Sequence, residues 1–494
     1  MAEPRLVDLG MFEPLRVAKK TSTAWRMTLA LAALLLSQVP GAADAQADAD
    51  RNLCSSREPQ IAISGCTRII NNSKEPSDIR DSALRNRGSL RQSTGDLDGA
   101  IEDYTSALNL SPQETRLNSK TYLNRGLAYA NKGDEGRALD DYDQAVKLDP
   151  ALSSAYLNRA AIYMKRDEDD HAIADLDEVV RLSPKDAGSY VSRGVIYIHH
   201  GELDHAIADF STAIDLNPLD AEAWRNRGFA YRTQGDNVRA AADAEQAIRL
   251  NPTMAAAHQD LARILQATGD AGSAATEFGK AIQLNPRDAK AFVVRGDAYL
   301  ARGDRGRAIS DYSQAIAIDA KLASAYMNRG VAYLGNADWD RAIADFSTVV
   351  DLDFSHPVAA YLNRGQALQA KGDRDGAMAD YENVIRVKPD STEALRRRAF
   401  LKQARGDSLG AVADYGRVIA LSPKDAEALR GRGYAELSRH NYDAAISDLT
   451  AAVTLNPQDA LAYRFRGLAY AAKHETQRAT ADEAIALRLD PKRP

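Results

Sequence analysis

The chain has no excess of basic residues and only two cysteines, and each shortage argues against a class of function. Its 63 Lys and Arg residues face 69 Asp and Glu residues, which gives a net charge of −6. Nucleic-acid-binding proteins need a basic surface to neutralise phosphates, so no nucleic-acid partner is expected. A structural zinc site needs about four ligands, and no histidine lies near the two cysteines, so no metal site is predicted there.

Motifs of catalytic chemistry are also missing. The sequence contains no P-loop, no nucleophile elbow, no H-E-x-x-H motif and no glycine-rich dinucleotide loop. His199, His200 and His205 lie together in the stretch "HHGELDH" and could bind a metal, but a solvated loop is the preferred interpretation. We therefore predict that the protein is not an enzyme and has no catalytic residue, no cofactor and no metal.

An apolar run near the N-terminus, "MTLALAALLLSQV" at 27–39, follows several basic residues and precedes an A-x-A pattern that ends at Ala45. This arrangement predicts a signal peptide over 1–45, cleaved after Ala45. The run is too short to favour a stable membrane span, so no span is expected after cleavage. An uncleaved anchor is the alternative. The mature protein is expected to be periplasmic or secreted.

The two cysteines, Cys54 and Cys66, follow the predicted signal peptide. Export into an oxidising compartment favours a disulfide between them, worth roughly 3 kcal/mol on the loop-entropy model. The alternative is two buried thiols. Residues 46–80 are thus predicted to form an N-terminal cap pinned by the disulfide.

A small residue recurs at a spacing of 34 positions, apart from one spacing of 38 and one of 35. Taken as position 0 of each period, it is Gly88, Gly126, Ala160, Gly194, Gly228, Ala262, Gly296, Gly330, Gly365, Ala399, Gly433 and Gly467. Position +12 is always Ala, and position +24 is Pro in ten of the twelve periods. Apolar residues have helical spacing on both sides of a Gly-Asp break, which predicts two helices per period and a stacked solenoid.

This pattern resembles the tetratricopeptide repeat (TPR) family, which has small residues at 0, +12 and +19, aromatic residues at +3 and +16, and Pro at +24. The resemblance covers 81–493. It implies an all-α fold, a right-handed α-solenoid superhelix of about twelve 34-residue helix-turn-helix units. Residues 53–74 look like a degenerate leading half-repeat that covers the first helix pair.

In this family the first helix of each pair lines a concave groove that holds extended peptides or partner helices. Positions −3, −2, +1 and +4 are expected to face the groove. The resemblance implies that the partner-binding side chains include Leu157, Val191, Met327, Arg396, Phe400, Arg430, Tyr434 and Arg464. The three arginines share position −3, so we expect a basic stripe that meets an acidic stretch of the partner. The alternative for the apolar residues is packing between neighbouring repeats.

The recurring "NR" before position 0 has two predicted roles. Arg stands at −1 in eleven repeats and an acid at +15 in all twelve, and antiparallel helices should bring the two face to face as a structural ion pair. The sixth repeat has Leu261 and Glu277 instead.

Asn at −2 is expected to face the groove, where a carboxamide can both donate to and accept from a peptide backbone. Superhelical members of the family present similar Asn ladders to peptides. The candidates are Asn124, Asn158, Asn226, Asn328 and Asn363. Bonding to the local backbone is the alternative.

Together these features predict a non-catalytic scaffold of the bacterial cell envelope that binds an extended peptide or partner protein in its groove. The alternative is a polysaccharide- or polymer-binding envelope assembly protein. The array contains only two tryptophans, Trp224 and Trp339, which argues against dedicated sugar stacking.

Export is directly testable. N-terminal sequencing of the mature protein should begin at or near Gln46, and Cys54 and Cys66 should resist thiol labelling until a reductant is added. Recovery of a soluble cytosolic protein that still begins at Met1 or Met11 would contradict the prediction.

Overall fold

The computed structural model describes residues 42–113, 115–352 and 358–491, with side chains from Gln46 onwards. Within these ranges the regular structure is entirely α-helical, with short turns between helices. The predicted signal peptide lies outside the described residues, except that the backbone of 42–45 begins the first helix. None of the described helices has the length and hydropathy needed to cross a membrane.

The chain divides into two compact units, Met1–Pro252 and Thr253–Pro494. In the described part of the first unit, consecutive helices pack in pairs. They are α1 (Ala42–Cys54) with α2 (Pro59–Asn71), α3 (Ser77–Ser93) with α4 (Leu97–Leu110), α5 (Thr115–Asn131) with α6 (Glu135–Leu148), α7 (Ser153–Lys165) with α8 (Asp169–Leu182), α9 (Ala187–His200) with α10 (Leu203–Leu216), and α11 (Ala221–Thr233) with α12 (Asn237–Leu250).

The second unit has the same construction. Its described pairs are α13 (Ala255–Ala267) with α14 (Ala271–Leu284), α15 (Ala289–Ala301) with α16 (Arg305–Ile318), α17 (Ala323–Gly335) with α18 (Trp339–Leu352), α19 (Val358–Lys371) with α20 (Arg374–Val387), α21 (Thr392–Ala404) with α22 (Ser408–Leu421), α23 (Ala426–Ser438) with α24 (Tyr442–Leu455), and α25 (Ala460–Ala472) with α26 (Thr476–Leu489). Each predicted repeat is one helix pair, from α3–α4 to α25–α26, which confirms the all-α fold.

The Gly-Asp break within a repeat forms the turn between its two helices. In the second repeat, Gly133 has a left-handed backbone, with φ +81°, that glycine adopts without steric strain. Asp134 then caps α6, because its side chain accepts a hydrogen bond from the backbone N–H of Arg137 at 3.1 Å.

Small residues let the two helices of a repeat approach closely. A methyl group added to Gly126 would come within 2.7 Å of the Tyr142 ring, so the glycine at position 0 leaves room for the aromatic residue at +16. Ala138, at +12 of the same repeat, is completely buried. These positions therefore recur because they set the distance between the helices.

The N-terminal cap is held by the predicted disulfide, which joins Cys54 of α1 to Cys66 of α2. Gly65 lies where the helices cross, and a methyl group there would come within 2.7 Å of the Leu53 Cβ. The cap region was expected to resemble half a repeat, but it contains both helices of a pair because 42–54 is helical as well.

The predicted Arg–Asp pair is confirmed in every repeat that has the arginine. In each, Nε donates to one carboxylate oxygen at 2.7–2.9 Å and Nη2 donates to the other at 2.5–2.9 Å. The aspartates are only 2–8% exposed. The two helices of a repeat are thus joined by a buried bidentate ion pair.

The third nitrogen of the same guanidinium reaches the preceding repeat. Nη1 of Arg125 donates to Thr105 Oγ1 at 2.9 Å, and Nη1 of Arg159 donates to Asp143 Oδ1 at 2.6 Å. The first repeat makes this contact with the cap, where Nη1 of Arg87 donates to Thr67 Oγ1 at 2.9 Å. One side chain therefore connects three helices.

The sixth repeat replaces the pair with a different cluster. Glu277 lies 2.7 Å from His258 Nδ1 and accepts from Lys280 Nζ at 2.6 Å. Burial raises the pKa of Glu277, but hydrogen bonds from Lys280 and His258 outweigh it and hold this pKa below the usual value. The acid at +15 thus keeps cationic or hydrogen-bonding partners although Leu261 supplies none.

Arg125→Ala should lower the free energy of unfolding by about 3 kcal/mol, because it leaves the carboxylate of Asp141 buried without its partner. Arg125→Lys should have an intermediate effect, since lysine keeps the charge but lacks the bidentate geometry. Thermal and urea unfolding would measure both changes.

The matched control is Arg181→Ala, because Arg181 pairs with Glu178 on an exposed helix face. Its melting temperature should stay close to that of the wild-type chain. Equal melting temperatures for Arg125→Ala and Arg181→Ala would show that the buried pair is not structural.

Candidate functional site

The aliphatic candidates Leu157, Val191 and Met327 are half-buried and pack between repeats. Leu157 packs against a cluster that includes Ile196 of the next repeat, and Met327 packs against one that includes Ala367 of the next repeat. Val191 similarly contacts a cluster that contains Ala223. Each of these side chains therefore contributes to packing between repeats and also leaves part of its surface exposed.

The five asparagines differ in their hydrogen bonding. Asn124 and Asn158 are half-buried and bond to no described residue. Asn328 donates to Asp297 Oδ1 at 2.8 Å, and Asn226 accepts a 3.3 Å bond from Arg225. The Asn363 amide lies 4.0 Å from the Met327 sulfur. Asn124 and Asn158 in the first unit thus leave both halves of their carboxamides available to a partner.

Arg396 and Arg430, two of the arginines expected to form a basic stripe, are paired with carboxylates of the same array. Arg396 contacts Glu393, Glu427 at 2.8 Å and Asp425 at 3.4 Å. Nη1 of Arg430 donates to Asp459 Oδ2 at 2.6 Å.

Asp425 and Asp459 are also the N-cap residues of α23 and α25. An Asp that caps a first helix therefore lies within reach of position −3 of the preceding repeat. In the sequence, each of these ion pairs corresponds to an Arg and an Asp that are 29 residues apart. Because the two residues belong to neighbouring repeats, a comparison of positions within one repeat does not reveal the pair.

The same region contains a cavity of about 680 Å³ on the first helices α21, α23 and α25. The structure brings together four predicted residues there, Arg396, Phe400, Arg430 and Tyr434. Phe465 also lines the cavity, and its ring stacks on that of Tyr434 with centroids 4.3 Å apart. Phe400 is 55% exposed and Tyr434 is 39% exposed, so aromatic surface is open to a ligand.

One aromatic residue of a second helix, Tyr415 of α22, also lines the cavity. In the tenth repeat position 0 is Ala399, and the Tyr415 ring lies against Gly431 of the next repeat. A methyl group on Gly431 would come within 2.7 Å of Tyr415 Cε1. Gly431 stands at position −2, where six of the ten earlier repeats have Asn, and the lack of a side chain there leaves room for Tyr415, which lines the cavity.

Two hydrogen-bonding groups of the cavity have no partner within the described ranges. The Tyr415 hydroxyl bonds to no described residue, and burial raises the pKa of Tyr415 to about 12. The side-chain nitrogen of Gln403 is buried and unpaired, which is costly for a donor. The Tyr415 hydroxyl is not among the fully buried atoms, so it can donate to a bound acceptor.

Two of the three histidines considered as a metal site, His200 and His205, contact carboxylates of the same array. His200 Nε2 lies 3.0 Å from Asp169, and His205 Nδ1 lies 2.8 Å from Glu202. Across 42–113, 115–352 and 358–491, no group of three or more His, Cys, Asp or Glu side chains is arranged to hold a metal ion.

Sequence profiles of TPR families match successive parts of the chain. The profile of the Cilia and flagella-associated protein 70 C-terminal domain matches 64–292. A TPR repeat profile matches 296–336, and a tetratricopeptide repeat profile matches 327–394, 398–448 and 435–494. The chain belongs to the tetratricopeptide repeat family, whose members are generally non-catalytic scaffolds that bind other proteins or peptides.

Several solved structures are similar to the chain. One is a tetratricopeptide repeat protein from Parabacteroides merdae, at 20% identity and a TM-score of 0.38, covering 50% of this chain and 98% of that one. YrrB, described as a TPR protein with an unusual peptide-binding site, has 21% identity and a TM-score of 0.35 over 38% of this chain and 96% of its own. Yeast Tom70 has 18% identity and a TM-score of 0.34 over 84% of this chain and 99% of its own. No curated protein sequence matches the chain.

Gly431→Ala should destabilise the tenth and eleventh repeats by about 1–3 kcal/mol, because the new methyl group collides with the Tyr415 ring. The matched control is Gly416→Ala, where the nearest atom to a new methyl group lies at 3.9 Å. This control should be neutral or slightly stabilising, since Ala favours a helix over Gly. Equal melting temperatures for the two variants would mean that Tyr415 does not occupy the space above Gly431.

Proposed function

We propose that the chain is a non-catalytic scaffold, exported to the periplasm or beyond, whose first unit binds an extended segment of a partner protein. The proposal rests on the different hydrogen bonding of two adjacent residues, the Asn at −2 and the Arg at −1. Arg125 and Arg159 use their guanidinium groups within the array, whereas the carboxamides of Asn124 and Asn158 bond to no described residue. The fold therefore does not require those two asparagines.

The chemistry of this face suits an extended backbone. A peptide in extended form presents N–H and C=O groups that need partners, and each carboxamide supplies one donor group and one acceptor. Leu157 and Val191 offer partly exposed apolar surface beside the asparagines. Hydrogen bonds to the backbone would hold the segment, and contacts with apolar side chains would select its sequence.

The rigidity of the array supports such binding. Arg125 and Arg159 connect three helices each, so Asn124 and Asn158 stand on helices whose positions are already set. A preorganised surface loses little conformational entropy on binding, which leaves more of the interaction energy for affinity. The Cys54–Cys66 disulfide is consistent with the proposed export, since disulfides persist in oxidising compartments.

The double variant Asn124→Ala/Asn158→Ala tests the proposal. It should weaken partner binding about tenfold or more, because up to four hydrogen bonds are lost, and should leave the melting temperature unchanged. The partner would first be captured from an envelope extract and identified, with a glycan array probed in parallel. Binding of the purified partner would then be measured by titration calorimetry.

The matched control is Asn109→Ala, because Asn109 is an exposed asparagine on the second helix α4. It should bind the partner as the wild-type chain does. If the double variant melts early and binds normally, the two asparagines belong to the scaffold. Selective binding of a glycan and no protein would favour the polysaccharide alternative.

A further inference from the structure

The cavity on α21, α23 and α25 is a second binding site with its own chemistry. We infer that it binds an uncharged segment of a protein partner that inserts an aromatic side chain and offers a carbonyl oxygen. The site lies in the second unit and shares no residue with the face of Asn124 and Asn158. Its failure would therefore leave the role proposed for that face intact.

Charge balance argues for an uncharged ligand. Arg396 and Arg430 are engaged by Glu427 and Asp459, and Arg397 donates to Glu393 at 2.5 Å. An acidic ligand would have to displace these carboxylates, which are covalently part of the array and held at contact distance. A charged ligand would lose its hydration in the site, and no free opposite charge would offset this desolvation cost.

The exposed rings argue for an aromatic side chain. Tyr434 and Phe465 already stack with an angle of 22° between their planes, so one face of each ring is covered by the other. Tyr434 nevertheless stays 39% exposed, and the Phe400 side chain is 55% exposed. Aromatic rings pack well edge-to-face or offset against such a surface.

The size of the cavity and its unpaired donors define the rest of the ligand. A volume of about 680 Å³ lies in the usual range for ligand sites and exceeds what a single side chain fills. The Tyr415 hydroxyl lines the cavity and bonds to no described residue, so a ligand that supplies an acceptor would satisfy it. A backbone carbonyl next to the aromatic residue meets this need without adding charge.

The test uses random peptides displayed on phage and selected on the full mature chain. Enriched sequences should share an aromatic residue and show no excess of Asp or Glu. A synthetic enriched peptide should bind with little dependence on salt, since no net charge is neutralised. Phe400→Ser/Tyr434→Ser should weaken this binding about tenfold or more without unfolding the chain, because both side chains are exposed.

Three further variants separate the site from its surroundings. Leu409→Ser alters an apolar side chain that is 66% exposed on the second helix α22, and it should bind the peptide normally. Tyr415→Phe should weaken binding several-fold and leave stability unchanged, because its hydroxyl bonds to no described residue. Tyr381→Phe should instead lower stability, because the Tyr381 hydroxyl donates to Gln369 at 3.0 Å.

Four results would overturn the inference. They are enrichment of acidic peptides whose binding weakens steeply with salt, binding that is unaffected by Phe400→Ser/Tyr434→Ser, failure to enrich any aromatic sequence, and selective binding of a glycan that the same double variant abolishes. In each case the behaviour of Asn124→Ala/Asn158→Ala toward its own partner is measured separately.

Discussion

The buried pair between Arg at −1 and Asp at +15 is the interaction on which the array depends. An aspartate that is almost fully buried is tolerated only with a partner that satisfies both of its oxygens, and the guanidinium fork does so in eleven repeats. Because the third nitrogen often reaches the preceding repeat, the same side chain fixes the helix pair and its stacking. In the sixth repeat His258 and Lys280 take over, which shows that the acid requires partners more than it requires arginine.

Because the ion pair uses position −1 of each first helix, other positions of the same helix remain for contacts with neighbours or with a partner. Position −1 points to the second helix of its own repeat, so positions −3, −2 and +1 lie on the adjacent face of the same turn. That face is free to vary where packing allows, as Asn124 and Asn158 illustrate, and it is used for folding where a neighbour needs it, as with Asn328 and Asp297. Folding and binding surfaces are thus separated by single residues along one helix.

The fold could be predicted from the sequence because the residues that form its main interactions recur at the same positions in many repeats. A pair such as Arg125–Asp141 recurs in register, and so does the contact of Gly126 with Tyr142. The site could be predicted only in part. Its geometry depends on contacts between residues of neighbouring repeats, and each such contact is present in only a few repeats. Arg396 meets Asp425, and Arg430 meets Asp459, over 29 residues. One further pair of this kind, Gln259 with Asp288, uses an amide in place of the arginine. Position −3 alone therefore indicated a basic stripe, although the partners were already present in the next repeat.

The departures from the repeat show where specificity can arise. Ala399 at position 0, Tyr415 at +16 and Gly431 at −2 occur together, and the lack of a side chain on Gly431 leaves room for the ring of Tyr415 beside the cavity. A methyl group on Gly431 would clash with the Tyr415 ring, so these two positions are coupled. A repeat protein keeps its scaffold through residues that do not vary and creates a site where several variations compensate one another. The site proposed on α21, α23 and α25 depends on departures of this kind in the tenth and eleventh repeats.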